Sequence, residues 1–439
     1  MPPLNRLARL GALTTRLGAM QLGERVADVF RDEDARKAAR ERLMTSGAQA
    51  LANNLGNLRG AAMKVGQAVA QAVEGMDVPP EARAALARLH DRADPVPFST
   101  IQAQVEAELH APIRELFRSF DPEPLGTASL GQAHAAELPD GTRVVVKVLH
   151  AGVEDAVAAD LAALRSVLLA GRALGRDREE LDANLSEIRE RLHEEVDYRN
   201  EAANLARFHA AFAADPDVDV PRPFPGWSTG KVLTMERLDG LPVNAFAATA
   251  SAAAKQRAGV ALGMAFVRMQ YVLRSIHADP HPGNYLFRPD GRVGLLDFGC
   301  VRTYDLAFMA NYGEAGLYTI RGDREAVIER CMRMGALTRR DAEAEEALWG
   351  FCQAIAGPFR GGPFTFGGPD DTVQDQLTAV IPKLLRARAV RSPRELVYLH
   401  RGLAGLHTVA KQLRPTLDWR VVFEEHVGHC LRDAGITPG

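Results

Sequence analysis

The sequence predicts an α+β fold of two lobes, a small β-containing lobe followed by a larger, mostly helical one, with a helical extension in front. Three observations predict it. Residues 1–97 and most of the chain after 250 carry helical periodicity rich in Ala, Leu and Arg. Between them, the turn signal Leu138-Pro139-Asp140-Gly141-Thr142 leads into a β-branched run, Arg143-Val144-Val145-Val146-Lys147-Val148-Leu149. A second short β run, 231–236, ends at Asp239-Gly240 and reads as the strand connecting the lobes.

In chain order, the extension is broken at Pro79-Pro80 and closed by Pro95 and Pro97. Its first residues mix Arg6, Arg9 and Arg16 with leucines, and Arg6 falls among the leucines on a helical wheel, so a packing helix fits better than an interfacial one. Ser99 is placed to cap a helix over about 100–119, and Asp121-Pro122-Glu123-Pro124 marks a turn. Residues 125–149 form a hairpin whose first turn is Gly126-Thr127-Ala128-Ser129-Leu130-Gly131-Gln132. Helical periodicity covers about 152–214, with a break near 175–177. The Gly/Pro/Phe stretch 357–368 reads as a flexible excursion. The expected domains are an extension over 1–97, a small lobe over 98–240 and a large lobe over 241–439.

Composition narrows the function classes. A net charge of −3 does not support nucleic-acid binding, which calls for a basic excess. Four cysteines far apart, with no Cys-x-x-Cys pair, indicate a reducing compartment rather than a disulfide framework. No run of eighteen apolar residues occurs. The expected location is therefore cytoplasmic, with any membrane contact peripheral. Glu424, Glu425, His426, His429 and Cys430 read as a helix face, since a structural zinc site needs four ligands in one place. The Arg-rich run 383–391 reads as a solvated helix face, and Cys300 as a small buried residue.

The chemistry is concentrated in residues 277–299. His277-Ala278-Asp279-Pro280-His281-Pro282-Gly283-Asn284 is followed, after twelve residues, by Asp297-Phe298-Gly299. An Asp five positions before an Asn, and then an Asp-Phe-Gly triplet, is the order of the catalytic loop and metal-binding triplet of protein kinases. Handling a γ-phosphoryl group requires Mg²⁺ to neutralise phosphate oxygens, and Mg²⁺ takes oxygen ligands. Asn284 and Asp297 supply an amide and a carboxylate oxygen, while Asp279 faces the attacking hydroxyl or water. Lys147, on its apolar strand, matches the lysine that reaches the α- and β-phosphates of ATP. A lysine there needs a carboxylate partner, and Glu195 and Glu201 are both available. The whole layout is that of a protein-kinase-like bilobal fold. The first turn lacks Gly-x-Gly-x-x-Gly, though its small residues permit close backbone approach. No Ala-Pro-Glu sequence follows Gly299, so the segment on which protein kinases dock a peptide is missing.

With these residues in place, the chain resembles the UbiB/AarF/ADCK atypical kinase-like proteins associated with coenzyme Q (ubiquinone) biosynthesis. The resemblance is carried by Leu-Arg-Gly-Ala-Ala-Met-Lys-Val-Gly-Gln at 58–67, Ala-Ser-Leu-Gly-Gln-Ala-His at 128–134, Glu-Val-Asp-Tyr-Arg-Asn-Glu-Ala-Ala-Asn at 195–204, and the 277–299 motifs. It implies that Lys64 and Gln67 lie on an extension folded over the active site as a lid, engaged by Glu195 and Asp197. It implies that Glu201 pairs with Lys147, that Asp279 is the catalytic-loop aspartate, and that Asn284 and Asp297 hold Mg²⁺. The hinge contacting adenine would run from Met235 through Glu236 to Leu238, and Gly126, Thr127, Ala128 and Ser129 would border the phosphates. The family's usual first turn is alanine-rich, where this chain has Gly126-Thr127. The expected partners are a nucleotide and a lipid or quinone-like amphiphile, and the expected activity is that of an ATPase or small-molecule kinase. An alternative of a different class is a nucleotide-gated scaffold for a membrane-associated biosynthetic complex, with turnover incidental.

Overall fold

A computed structural model describes residues 96–127, 130–153, 196–278 and 281–437. In chain order its helices are α1 (Phe98–Leu109), α2 (Ile113–Leu116), α3 (Tyr198–Phe212), α4 (Val243–Thr249), α5 (Ala252–Tyr271), α6 (Leu306–Arg321), α7 (Arg324–Arg333), α8 (Ala342–Ile355), α9 (Val373–Arg386), α10 (Arg394–Leu413) and α11 (Trp419–Asp433). The strands are β1 (Ser119–Thr127), β2 (Gly131–Glu137), β3 (Arg143–Leu149), β4 (Val218–Asp219), β5 (Val232–Glu236), β6 (Ser275–His277), β7 (Tyr285–Phe287), β8 (Val293–Leu295), β9 (Val301–Thr303), β10 (Phe364–Thr365) and β11 (Thr416–Leu417). The chain divides into two compact units. Of the described residues, the first holds those up to 202 together with 223–237, and the second holds 203–222 and those from 238 onward.

The first unit is a sheet in the order β1-β2-β3-β5, antiparallel throughout. Alternation along β3 sorts its side chains. Val144, Val146 and Val148 are buried with Ile101 and Val105 of α1 and with Phe117, while Val145 and Lys147 lie on the opposite face. Each valine buried this way contributes about 1.5–3 kcal/mol. The helix expected over 100–119 is split. α1 starts directly after Pro97 without a side-chain cap, ends at His110 in the left-handed conformation, and gives way to α2 after Pro112. Proline lacks the amide that would carry a helix's hydrogen bonding onward, and it disfavours helical backbone in the residue before it. The turn expected at 121–124 is part of β1. That strand lies at the sheet edge with register shifts around Pro124, where missing ladder donors are tolerated.

In the second unit, β4-β8-β7 form a small sheet and β6 pairs with β9. The β7–β8 turn closes through Gly291 at φ 90°, whose amide donates to Arg288 O at 2.9 Å. Asp219 on β4 pins this hairpin by pairing with Arg288 and Arg292. Ser251 caps the long helix α5 by accepting from Ala254 N at 3.1 Å. The 357–368 stretch is ordered. A 3₁₀ turn spans Pro358, and Phe364 and Thr365 pair with Leu417 and Thr416. Glu424 to Cys430 lie within α11, and no metal-ligand cluster occurs among the described residues. No helix among the described residues is long and apolar enough to cross a membrane.

Candidate functional site

In the first unit, β3 carries Lys147 on the face away from the core, and α3 brings Glu201 to it. Lys147 Nζ donates to Glu201 Oε1 at 2.5 Å, with the two side chains only 17% and 8% exposed. α3 starts where it does because Asp197 precedes it and accepts from the Arg199 amide at 3.0 Å, an N-terminal cap. The Tyr198 amide donates to Gly230 O at 2.8 Å, which ties the helix start to the turn before β5. Across β2, the residue opposite Lys147 is Ala133, and Gly131 faces Leu149, so the strand beside the lysine presents small side chains. Gly131 is needed sterically, because a Cβ there would stand 2.5 Å from Val148 O. Gly126 is not, since a Cβ on it would meet nothing within 4 Å. Met235 is buried and pairs with Val145, and Glu236 pairs with Val144. Leu238 belongs to the second unit, near Gly294.

In the second unit, the metal-ligand candidates are set side by side by backbone bonding. Asn284 closes a 3₁₀ turn, Pro282–Asn284, which His281 caps by accepting from Gly283 N at 3.1 Å. β7 then starts and pairs antiparallel with β8, Tyr285 opposite Leu295. The ladder continues one step further, as Leu296 N donates to Asn284 O at 3.0 Å. Asp297 therefore leaves the end of β8 beside Asn284. Asp297 Oδ1 accepts from Gly299 N at 2.9 Å, which fixes the carboxylate at the turn. Phe298 is buried against Phe208 at 4.9 Å and edge-on to His277, and its carbonyl accepts from Asn204 Nδ2 at 3.1 Å. The triplet is thus anchored by its middle residue, while the flanking Asp and Gly form the turn. Ala278 N donates to Cys300 O at 2.8 Å, aligning the β6–β9 pair on which the catalytic-loop motif begins.

The expected roles of Lys64, Gln67, Ala128, Ser129, Glu195 and Asp279 fall on residues outside the described ones. Asp197 is described, and the contacts seen for it are the helix cap, an ion pair with Arg199 and its approach to Gly230.

A family model, the ABC1 atypical kinase-like domain, matches residues 88–331, more than half of the chain. The chain belongs to the ABC1 atypical kinase-like family. Among its relatives, the mitochondrial atypical kinase COQ8 of Saccharomyces cerevisiae is 29% identical over 96% of this chain and 85% of its own length. Atypical kinase COQ8B of Danio rerio is 28% identical over 96% of this chain and 68% of its own. Of solved structures, the erythromycin complex of Rv3197 from Mycobacterium tuberculosis superposes with a TM-score of 0.63 at 26% identity, covering 90% of this chain and 98% of that one. The fold is the α+β kinase-like fold, and the chain is an atypical kinase-like enzyme of the ABC1 class.

Within the ABC1 match, two motif residues do work that sequence reasoning did not assign. Gln132 and His134 alternate with Ala133, so they point to the core face of the sheet, opposite Val148 and Val146. Gln132 Oε1 accepts from Val96 N at 2.8 Å, and His134 Nδ1 bonds Asp121 O at 2.9 Å. They fasten the chain entering the sheet and the irregular edge strand. The register that places Ala133 opposite Lys147 was the signal that could have found them.

Proposed function

We propose that this chain is a Mg²⁺-dependent, ATP-binding atypical kinase or ATPase of the UbiB type, serving ubiquinone or other prenyl-lipid metabolism, and not a protein kinase. The observation that carries the reading is the backbone bond from Leu296 to Asn284, which sets Asn284 and Asp297 side by side. One amide and one carboxylate oxygen, with no sulfur or imidazole in the pair, suit a hard cation such as Mg²⁺. Bound there, the ion would neutralise phosphate oxygens and orient the γ-phosphoryl group.

The chain's own groups supply the rest. Lys147, held by Glu201, would position the α- and β-phosphates. Asp297 would be presented in a fixed direction by its bond from Gly299. Asp279 would accept the proton of the attacking hydroxyl or water. The path after the triplet supports the exclusion of protein substrates. From Gly299 the chain passes through β9 and enters α6 at Leu306, which leaves no peptide-docking segment. The names of the COQ8 relatives support the quinone-pathway context.

The test is ATP turnover with and without liposomes containing a quinone-like amphiphile. Turnover that is lost in Asp279→Asn supports an enzyme. Turnover retained in that variant, or robust phosphorylation of a protein in trans, contradicts the reading.

A further inference from the structure

Two thiols meet in the second unit. Cys331 lies in the last turn of α7 and Cys352 in the last turn of α8, and both pack in one apolar cluster with Val327, Ile328, Leu348 and Leu396. The two side chains hydrogen-bond each other, and Thr319 on α6 also bonds Cys352. Both cysteines are free thiols. Apolar packing alone accounts for one buried cysteine. Two in mutual contact are a different matter, because a disulfide between them needs only side-chain rotation.

Both cysteines also line a cavity of about 140 Å³ enclosed by α5, α6, α7, α8, α10 and α11. A space of roughly 10–15 Å³ already admits one water, so a reagent a little larger than water has room here. No Asp, Glu, Lys or Arg lines the cavity, which favours an uncharged reagent. Cys331 is only 4% exposed and Cys352 is half-buried, which keeps bulky reagents out. The hydrogen bond splits the roles of the two thiols. It draws the Cys331 pKa below its ordinary value and outweighs burial, which acts the other way. Cys352 is pushed up by the same bond and by burial. Cys331 is therefore the nucleophile and Cys352 the resolving thiol. Cys430 on α11 is the contrast, since burial pushes it up to about 11 and it stays protonated.

We propose that Cys331 and Cys352 are a peroxide-reactive thiol pair that closes to a reversible disulfide between α7 and α8. The Cys331 thiolate attacks one oxygen of hydrogen peroxide, so an S–O bond forms and the O–O bond breaks. The departing hydroxide takes up the proton the thiol gave and leaves as water. Cys352 sulfur then attacks Cys331 sulfur. The S–S bond forms, the S–O bond breaks, and a second water leaves with the Cys352 proton. Two electrons pass from the two sulfurs to the peroxide. Two equivalents of a monothiol reverse the bond by exchange and end as their own disulfide. A reversible bond of this kind suits a compartment that keeps thiols reduced. Cys331 is the last residue of the ABC1 match and Cys352 lies beyond it, so the disulfide fastens the following helix to the matched domain. Neither cysteine belongs to the proposed nucleotide site.

The experiment treats the reduced, folded full chain with hydrogen peroxide, alkylates the remaining thiols and maps tryptic peptides by mass spectrometry. The expected result is peptide 331–333 joined to peptide 341–360, and separated again by dithiothreitol. Oxidation should raise the melting temperature by about 2 °C or more, since the bond closes a loop between two helices. In Cys352→Ser the sulfenic acid should persist on Cys331 and be trapped by dimedone, with no rise in melting temperature. Cys430→Ser should form the linkage as wild type does. Absence of the linkage in the folded wild-type chain, linkage of either cysteine to Cys300 or Cys430 instead, or dimedone trapping on Cys352 rather than Cys331 would each overturn the proposal. The wild-type map decides even where Cys352→Ser does not fold.

Discussion

Lys147 Nζ and Glu201 Oε1 stand 2.5 Å apart, joining β3 to α3 through an ion pair whose side chains are both mostly removed from water. Removing one member leaves a desolvated charge without this partner, a loss of about 3–5 kcal/mol for a buried pair. Glu201→Gln should therefore lower unfolding free energy in urea by that order. The double variant Lys147→Met, Glu201→Leu should regain most of it, because two apolar side chains leave no orphaned charge. A single variant within about 1 kcal/mol of wild type would mean that the pair behaves as an exposed one.

Two glycines of the same turn region are expected to differ. Gly131→Ala drives a methyl into Val148 O, a backbone atom that can move only with its strand, and should cost about 1–3 kcal/mol. Gly126→Ala enters open space and should leave the melting temperature within error of wild type or slightly raised. Its effect should appear in nucleotide affinity, which the alanine is expected to lower. Thermal unfolding and ATP titration of both variants check this. Equal destabilisation would contradict the steric account.

Burial pushes the His400 imidazole on α10 down to about 4. The unfolded chain takes up a proton near pH 6.5 while the native state stays neutral, so stability should fall as pH drops from about 6.5 to 4. The shift corresponds to about 3 kcal/mol. His400→Phe should flatten the stability profile across that window and leave it unchanged above pH 7. A profile as steep as wild type would place the dependence on other groups.

The legible parts of the fold were those written in local sequence. β3 was readable because a β-branched run follows a Pro-Asp-Gly turn, and the Asn284 to Asp297 spacing was readable because the two residues bracket a hairpin. What escaped was set by distant partners. β1 runs through Pro122 and Pro124 only because it is an edge strand, and 357–368 is ordered only because Phe364 and Thr365 meet Leu417 and Thr416. Gln132 and His134 looked like a signature without a task, since their partners Val96 and Asp121 lie upstream.

The central claim is that Asn284 and Asp297 hold Mg²⁺ for a bound nucleotide. Asp297→Asn tests it cleanly, because an amide oxygen can still accept from Gly299 N and preserve the turn while the charge is lost. Calorimetric titration of ATP, with Mg²⁺ and with EDTA, is the measurement. The account predicts Mg²⁺-dependent binding in wild type and a loss of about tenfold or more in affinity in Asp297→Asn, with an unchanged melting temperature. Mg-ATP binding as tight in Asp297→Asn as in wild type would contradict it.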